Sequence, residues 1–168
     1  MINYVDIENN ILLIEGKYND PLTTTHEQIL YSKLAIIEFC GWVEESLDQI
    51  IKDYIVRTIS SGNQRYVEDN IIRLNFGFTY KNFKNMFGHI LGIKNYEIFE
   101  YLFNDPSGRI LVFETKLKDY SLKRNDAAHN STPVGTTLTY YAPSTVLADF
   151  HLIKSFFIDI ETIINSID

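Results

Sequence analysis

The segment Lys123-Arg124-Asn125-Asp126-Ala127-Ala128-His129-Asn130 gathers several reactive groups into one short stretch. An arginine fork can hold a phosphate and neutralise charge developing on its oxygens, and an imidazole can move a proton near neutral pH. Those are the needs of RNA cleavage. The small Ala127 and Ala128 let another backbone approach closely, as at a helix-packing or dimer interface. The same arginine and histidine also suit a helix end, where cations interact favourably with the terminal carbonyls, so a structural cap stands beside the catalytic reading.

Spacing limits how the pair can work. Five helical steps of ~100° put Arg124 and His129 about 140° apart around the axis and ~7.5 Å along it. One helix therefore cannot aim both at one narrow site, whereas two copies meeting across a two-fold axis bring both pairs into a single cleft. This predicts a homodimer whose interface includes the 120–130 segment. The net charge of −7, from 15 basic and 22 acidic residues, opposes non-specific adhesion to nucleic acid, so RNA binding needs a local basic patch. Lys116, Lys118, Lys123 and Arg124 fall within nine positions against Asp119 alone and are the candidate RNA contacts.

Other chemistries find little support. His26, His89, His129 and His151 lie far apart, with no pair at the i, i+4 spacing that puts two imidazoles on one helical face, so no metal is expected. A Gly-rich phosphate loop and a Gly-x-Ser-x-Gly elbow are both missing, and Cys40 lies in an apolar stretch as a small core hydrophobe. No cofactor is implied. Without a metal-bound hydroxide the nucleophile must come from the substrate, and RNA carries one in its 2′-hydroxyl. No apolar run reaches the ~18–20 residues of a membrane span, which predicts a soluble, cytoplasmic protein without membrane contacts.

The chain should be a single all-α domain, an up-and-down helical bundle over 1–168 with long first, motif-bearing and last helices. A capping box at Thr25 and Gln28 predicts a helix over about 25–59, burying Ile36, Cys40, Val43, Leu47, Ile50 and Tyr54 while Glu44, Glu45, Asp48 and Lys52 face water. Trp42, Val43 and Leu47 are read as structural. Gly41 inside this helix signals a close helix contact or a kink. Helical pieces follow over 66–75, 80–91 and 94–103, broken at Asn75-Phe76-Gly77 and Gly92, with Ile71, Ile72, Leu74, Phe83, Phe87, Ile90, Ile98 and Leu102 facing inward. A turn at 104–108 leads into the motif-bearing helix, whose stripe of Phe113, Leu117 and Tyr120 continues through Arg124 and Ala127 or Ala128 until 130–135 ends it. After Pro143 the stripe Val146, Phe150, Ile153, Phe157, Ile160, Ile164 and Ile167 marks the last helix. Residues 1–22 stay ambiguous, since Ile11 to Ile14 suits a short strand or a helical turn.

At Arg124-Asn125-Asp126-Ala127-Ala128-His129 the chain resembles the HEPN superfamily, helical-bundle proteins whose signature is Arg, a polar residue, three variable residues and His. The context is similar to one stand-alone branch: Gly-Trp-Val-Glu-Glu-Ser-Leu at 41–47, the aromatic 76–91 region, Gly135-Thr136-Thr137, and Ala142-Pro143-Ser144. The likeness covers about residues 25–165. It implies a metal-independent endoribonuclease acting as a homodimer, usually in toxin–antitoxin or anti-phage defence systems. Arg124 would stabilise the scissile phosphate, His129 would transfer protons and Asn125 would orient or hydrogen-bond there; a cognate antitoxin is the implied partner. Toxins of this family silenced by a nucleotidyltransferase antitoxin often carry Tyr two positions after the His, where Ser131 stands, so the likeness does not extend to that class of partner. A catalytically silent dimer of the same fold, binding RNA, a nucleotide or a protein, is the alternative. An unrelated bundle carrying the six residues by coincidence is a third.

Overall fold

Residues 2–75, 77–131 and 139–167 are described by the computed structural model of the chain. Phe76 and the Gly135-Thr136-Thr137 stretch, with most of the turn expected at 130–135, lie outside the described residues. The architecture is an all-α bundle of α1 (Val5–Tyr18), α2 (Thr25–Thr58), α3 (Ser61–Val67), α4 (Tyr80–Phe103), α5 (Arg109–His129) and α6 (Pro143–Ser166). No helix among the described residues is long and apolar enough to cross a membrane.

The ambiguous N-terminus is helical. Ile7, Ile11 and Ile14 recur at steps of four and three and are all buried, a stripe the Ile11–Ile14 run hides when read alone. The Asn3 side-chain oxygen accepts from the Asp6 amide at 3.1 Å and organises the first turn. Trp42 fixes α1 onto α2: its Nε1 donates to the Asn3 carbonyl at 3.1 Å, and its ring lies 5.0 Å from that of Phe150 and 5.3 Å from that of Phe157.

The capping box of α2 sits one residue earlier than the expected Thr25–Gln28 pair. Thr24 Oγ accepts from the Glu27 amide at 3.3 Å, and Glu27 Oε2 accepts from the Thr24 amide at 2.8 Å. Glutamate wins over Gln28 because its carboxylate makes charge-assisted bonds, which also lower the Glu27 pKa. From there α2 runs unbroken through Gly41. A Cβ at Gly41 would meet nothing within 4 Å, so neither a kink nor a close contact within the chain explains this glycine.

Helix directions follow from the contacts. Lys33 Nζ donates to the Asn130 carbonyl at 2.6 Å and Cys40 Sγ lies 3.6 Å from the Tyr120 carbonyl, so α2 and α5 run antiparallel. Arg109 pairs with Asp159, and Lys116 with Asp149 at 2.6 Å, so α5 and α6 do too.

The middle of the chain departs from expectation in two places. The piece expected over 66–75 is split into α3 and one π-helical turn, Glu68–Ile72, which leaves Leu74 exposed. At Gly92 the backbone reaches φ 75°, ψ 156°, a region that side chains other than glycine's scarcely allow, and α4 bends. That bend resets the inward face: Tyr96, Phe99 and Phe103 are buried, while the expected Ile98 and Leu102 are each 41% exposed. The aromatic choice fills the space between α4, α5 and α6, with Phe99 5.6 Å from Phe87, and Phe113 5.7 Å from both Phe103 and Phe156.

The α2 stripe is as expected at Ile36, Cys40, Val43, Leu47 and Ile50, all buried, with Tyr54 partly so. Leu47 is 1% exposed in the middle of this face. Leu47→Ala is expected to lower unfolding free energy by ~2–5 kcal/mol in denaturant titration; a change within ~0.5 kcal/mol, as at a surface position, would contradict the packing described.

Candidate functional site

The helix carrying Arg124 and His129 is anchored before it reaches them. Asp149 lies on the apolar stripe of α6 and is buried. Its carboxylate takes the Tyr120 hydroxyl at 2.9 Å on one oxygen and Lys116 Nζ at 2.6 Å on the other. Burial, then the Asp149 charge and hydrogen bond, push the Tyr120 phenol well above its ordinary range, so it remains a neutral donor. Phe113, Leu117, Tyr120 and Ala127 form the buried stripe of α5, while Ala128 is exposed.

At the C-terminal end, the Asp126 carbonyl accepts from the Asn130 amide at 3.1 Å and the Tyr140 hydroxyl at 3.4 Å. The Asn130 carbonyl is bound by Lys33. Lys33 and Tyr140 thus supply donors at the end where the capping reading would have used Arg124 and His129.

Arg124 occupies the α2 side of α5. Its side chain is 45% exposed, and its guanidinium lies 3.8 Å from Glu44 Oε2, an ion pair too long for a hydrogen bond. Asn125 and His129, one turn apart, share a different and exposed edge. The structure therefore brings Asn125 and His129 together and leaves Arg124 apart from them. The basic patch is divided as well. Lys116 is held by Asp149, Lys123 lies 5.0 Å over the ring of Tyr141, and Lys118 is exposed elsewhere on the helix.

Glu44 is the residue missed in the sequence, where it was expected to face water. It is half-buried: Oε1 accepts from the Gly77 amide at 2.8 Å while Oε2 faces Arg124. Its position one turn after Cys40, on the edge of the apolar face, was the available signal. Glu44 also lines a groove with Asp48, Lys52, Glu68, Ile72 and Arg73. Asp48 and Lys52 are half-buried there rather than freely exposed, and Glu45 alone of the four faces water as expected. Burial raises the Asp48 pKa, opposed by Lys52 and reinforced by Glu44 and Glu45. Cys40, buried between these elements, has its thiol pushed up to about 12, mainly by burial, which suits packing and not nucleophilic attack.

Among the described residues no group of three or more His, Cys, Asp or Glu side chains is placed to hold a metal ion. Comparison with protein-family models, curated proteins and solved structures returned no match.

The raised Asp48 pKa gives a stability prediction with a definite sign. A carboxyl that binds its proton more tightly folded than unfolded favours folding below the unfolded pKa, and that contribution is lost as pH rises through the folded pKa. Asp48→Asn should therefore raise the thermal midpoint at pH 7 relative to wild type, with the difference shrinking below pH ~4. Melting curves across pH 3–7 check it; an Asn variant less stable at pH 7 would show that the Asp48 charge is favourable where it stands.

Proposed function

We propose that the chain is a metal-independent endoribonuclease resembling the HEPN proteins, acting on RNA as a homodimer. The observation that carries this reading is the exposure of Arg124, Asn125 and His129 at the end of a helix anchored by the buried Asp149. Arg124 binds the scissile phosphate in exchange for its loose pairing with Glu44, and charge builds on the phosphoryl oxygens against the guanidinium. His129 takes the proton of the 2′-hydroxyl as the O2′–P bond forms. The P–O5′ bond breaks, and the departing oxygen is protonated by the imidazolium of the second copy. Asn125, on the same edge as His129, hydrogen-bonds at this site, while the exposed Lys118 and the rims of Lys116 and Lys123 contact flanking phosphates. Products carry 2′,3′-cyclic phosphate and 5′-hydroxyl ends. The reading places the protein in the cytoplasm, in a toxin–antitoxin or anti-phage defence setting with an antitoxin as its control.

One observation favours the alternative, a silent dimer that binds RNA, a nucleotide or a protein. The Glu44 carboxylate beside Arg124 competes with phosphate, and Lys116 is already engaged by Asp149.

Labelled RNA incubated with excess chelator should still be cut, and a matched strand with 2′-deoxy substitution 5′ to the cut should not. Arg124→Ala and His129→Ala should each abolish cleavage while shifting stability by no more than ~0.5 kcal/mol, because both side chains are exposed. Equal cutting of the deoxy strand or dependence on a divalent cation overturns the mechanism, and absence of cutting across many RNAs leaves the silent dimer as the better account.

A further inference from the structure

The groove lined by Glu44, Asp48, Lys52, Glu68, Ile72 and Arg73 encloses about 330 Å³, at the lower end of the ~300–1,000 Å³ that small-molecule sites occupy. It opens beside the candidate site, because Glu44, at one end of it, has its carboxylate 3.8 Å from the Arg124 guanidinium. Asp48 follows one turn and ~6 Å further along α2, and Lys52 comes one turn beyond that. The facing wall is the π-helical turn Glu68–Ile72, a local irregularity of the kind that recurs at functional sites, with Arg73 next to it.

Within the groove, Asp48 stands out. Its carboxylate is half-buried, and burial raises its pKa. Lys52 attracts its charge, but no described residue hydrogen-bonds to it, whereas Glu44 accepts from the Gly77 amide. A carboxylate held in this way costs folding free energy, and such costs persist where a ligand makes use of the group.

We propose that the groove is a nucleobase subsite of the candidate RNA site, in which the Asp48 carboxylate accepts hydrogen bonds from N1–H and N2–H of a guanine whose phosphate lies on Arg124. The proposal rests on the reading of Arg124 as the phosphate-binding residue and adds a base preference to it. The pattern of donors selects the base. An ionised carboxylate only accepts, through two oxygens side by side. Guanine presents two adjacent N–H donors on its Watson–Crick edge; adenine and cytosine each set an amino donor beside an acceptor, and uracil sets one donor between two carbonyls. The guanine O6, adjacent to N1, takes a hydrogen bond from Lys52, while Ile72 gives the ring an apolar surface and Glu68 and Arg73 stand at the exposed rim. A nucleotide spans the step from Arg124 to Asp48, its sugar bridging the phosphate and the base. Donation from guanine also favours the charged form of Asp48 that burial disfavours.

Binding of the 3′- and 5′-monophosphates of guanosine, adenosine, cytidine and uridine to the full chain is measured by calorimetry, with circular dichroism on each variant and cleavage of RNAs carrying each base beside the cut. A guanosine monophosphate should bind at least about tenfold more tightly than its three counterparts, as one bidentate base contact provides. The better of its 3′- and 5′-forms assigns the guanine to the 5′ or the 3′ side of the cut. Inosine monophosphate, which lacks the N2 amino group, should fall between. Asp48→Asn should lose the preference while keeping or raising the thermal midpoint, and Arg124→Ala should weaken all the nucleotides alike. Glu45→Gln, the same change of charge on an exposed neighbour, should keep the preference. Equal binding of the four bases, preference for another base, no binding up to about millimolar concentration, or a guanine preference that survives Asp48→Asn overturns the subsite. Guanine-selective binding by a chain that never cuts RNA keeps the subsite and removes the nuclease, whereas cutting that is blind to the base removes the subsite and keeps the nuclease.

Discussion

A buried carboxylate governs how the motif-bearing helix sits. Asp149 is 7% exposed, and its two partners, Lys116 and Tyr120, are one turn apart on α5. Binding both fixes the rotation of α5 and its height along α6 together, since a slide or a turn of the helix would break one contact. A buried charge left without a partner costs several kcal/mol, which makes this arrangement stiff. Lys116 is suited to the task because a long, partly buried side chain lets its ammonium reach the carboxylate from the boundary of the core. The orientations of Arg124 and His129 follow about one and two and a half turns beyond Tyr120.

The contact also changes what the basic residues mean. In the linear sequence four cations within nine positions suggest a single patch, but helical geometry distributes them around the axis. One is committed to Asp149, one lies over Tyr141 and one faces Glu44. In a chain with a net charge of −7 this leaves a surface of alternating sign around the end of α5.

Much of the fold was legible because long amphipathic helices write their period plainly. The stripes Phe113-Leu117-Tyr120 and Val146-Phe150-Ile153-Phe157-Ile160-Ile164 appear in the sequence and are buried in the structure. Legibility failed where a local event shifts the phase or where a polar group does the packing. Gly92 could be recognised as a break, but the rotation it introduces could not, so Ile98 and Leu102 were expected where Tyr96, Phe99 and Phe103 stand. Asp149 lies three residues after Val146 and four before Ile153, and a carboxylate on that stripe was a readable sign of a buried partner. Glu44 was harder, because its value depends on the Gly77 amide and Arg124, distant in sequence and brought together only by packing. At the candidate site, residue types were visible in the chain; the separation of Arg124 from the Asn125–His129 edge follows from the helical period alone.

The bend at Gly92 restricts how this sequence can drift over evolutionary time. Within either half of α4, substitutions among apolar residues leave the phase of the helix intact, and the aromatic cluster can be retuned one ring at a time. Loss or gain of a single residue between Gly92 and Tyr96 is different in kind, because it would swing Tyr96, Phe99 and Phe103 together by ~100°, taking Phe99 away from Phe83 and Phe87 and Phe103 away from Phe113 and Phe156. Replacement of Gly92 itself meets a backbone that no other residue adopts at ease. Length variation among descendants should therefore gather outside this interval, in the connections between helices, where the phase of a buried face is not at stake.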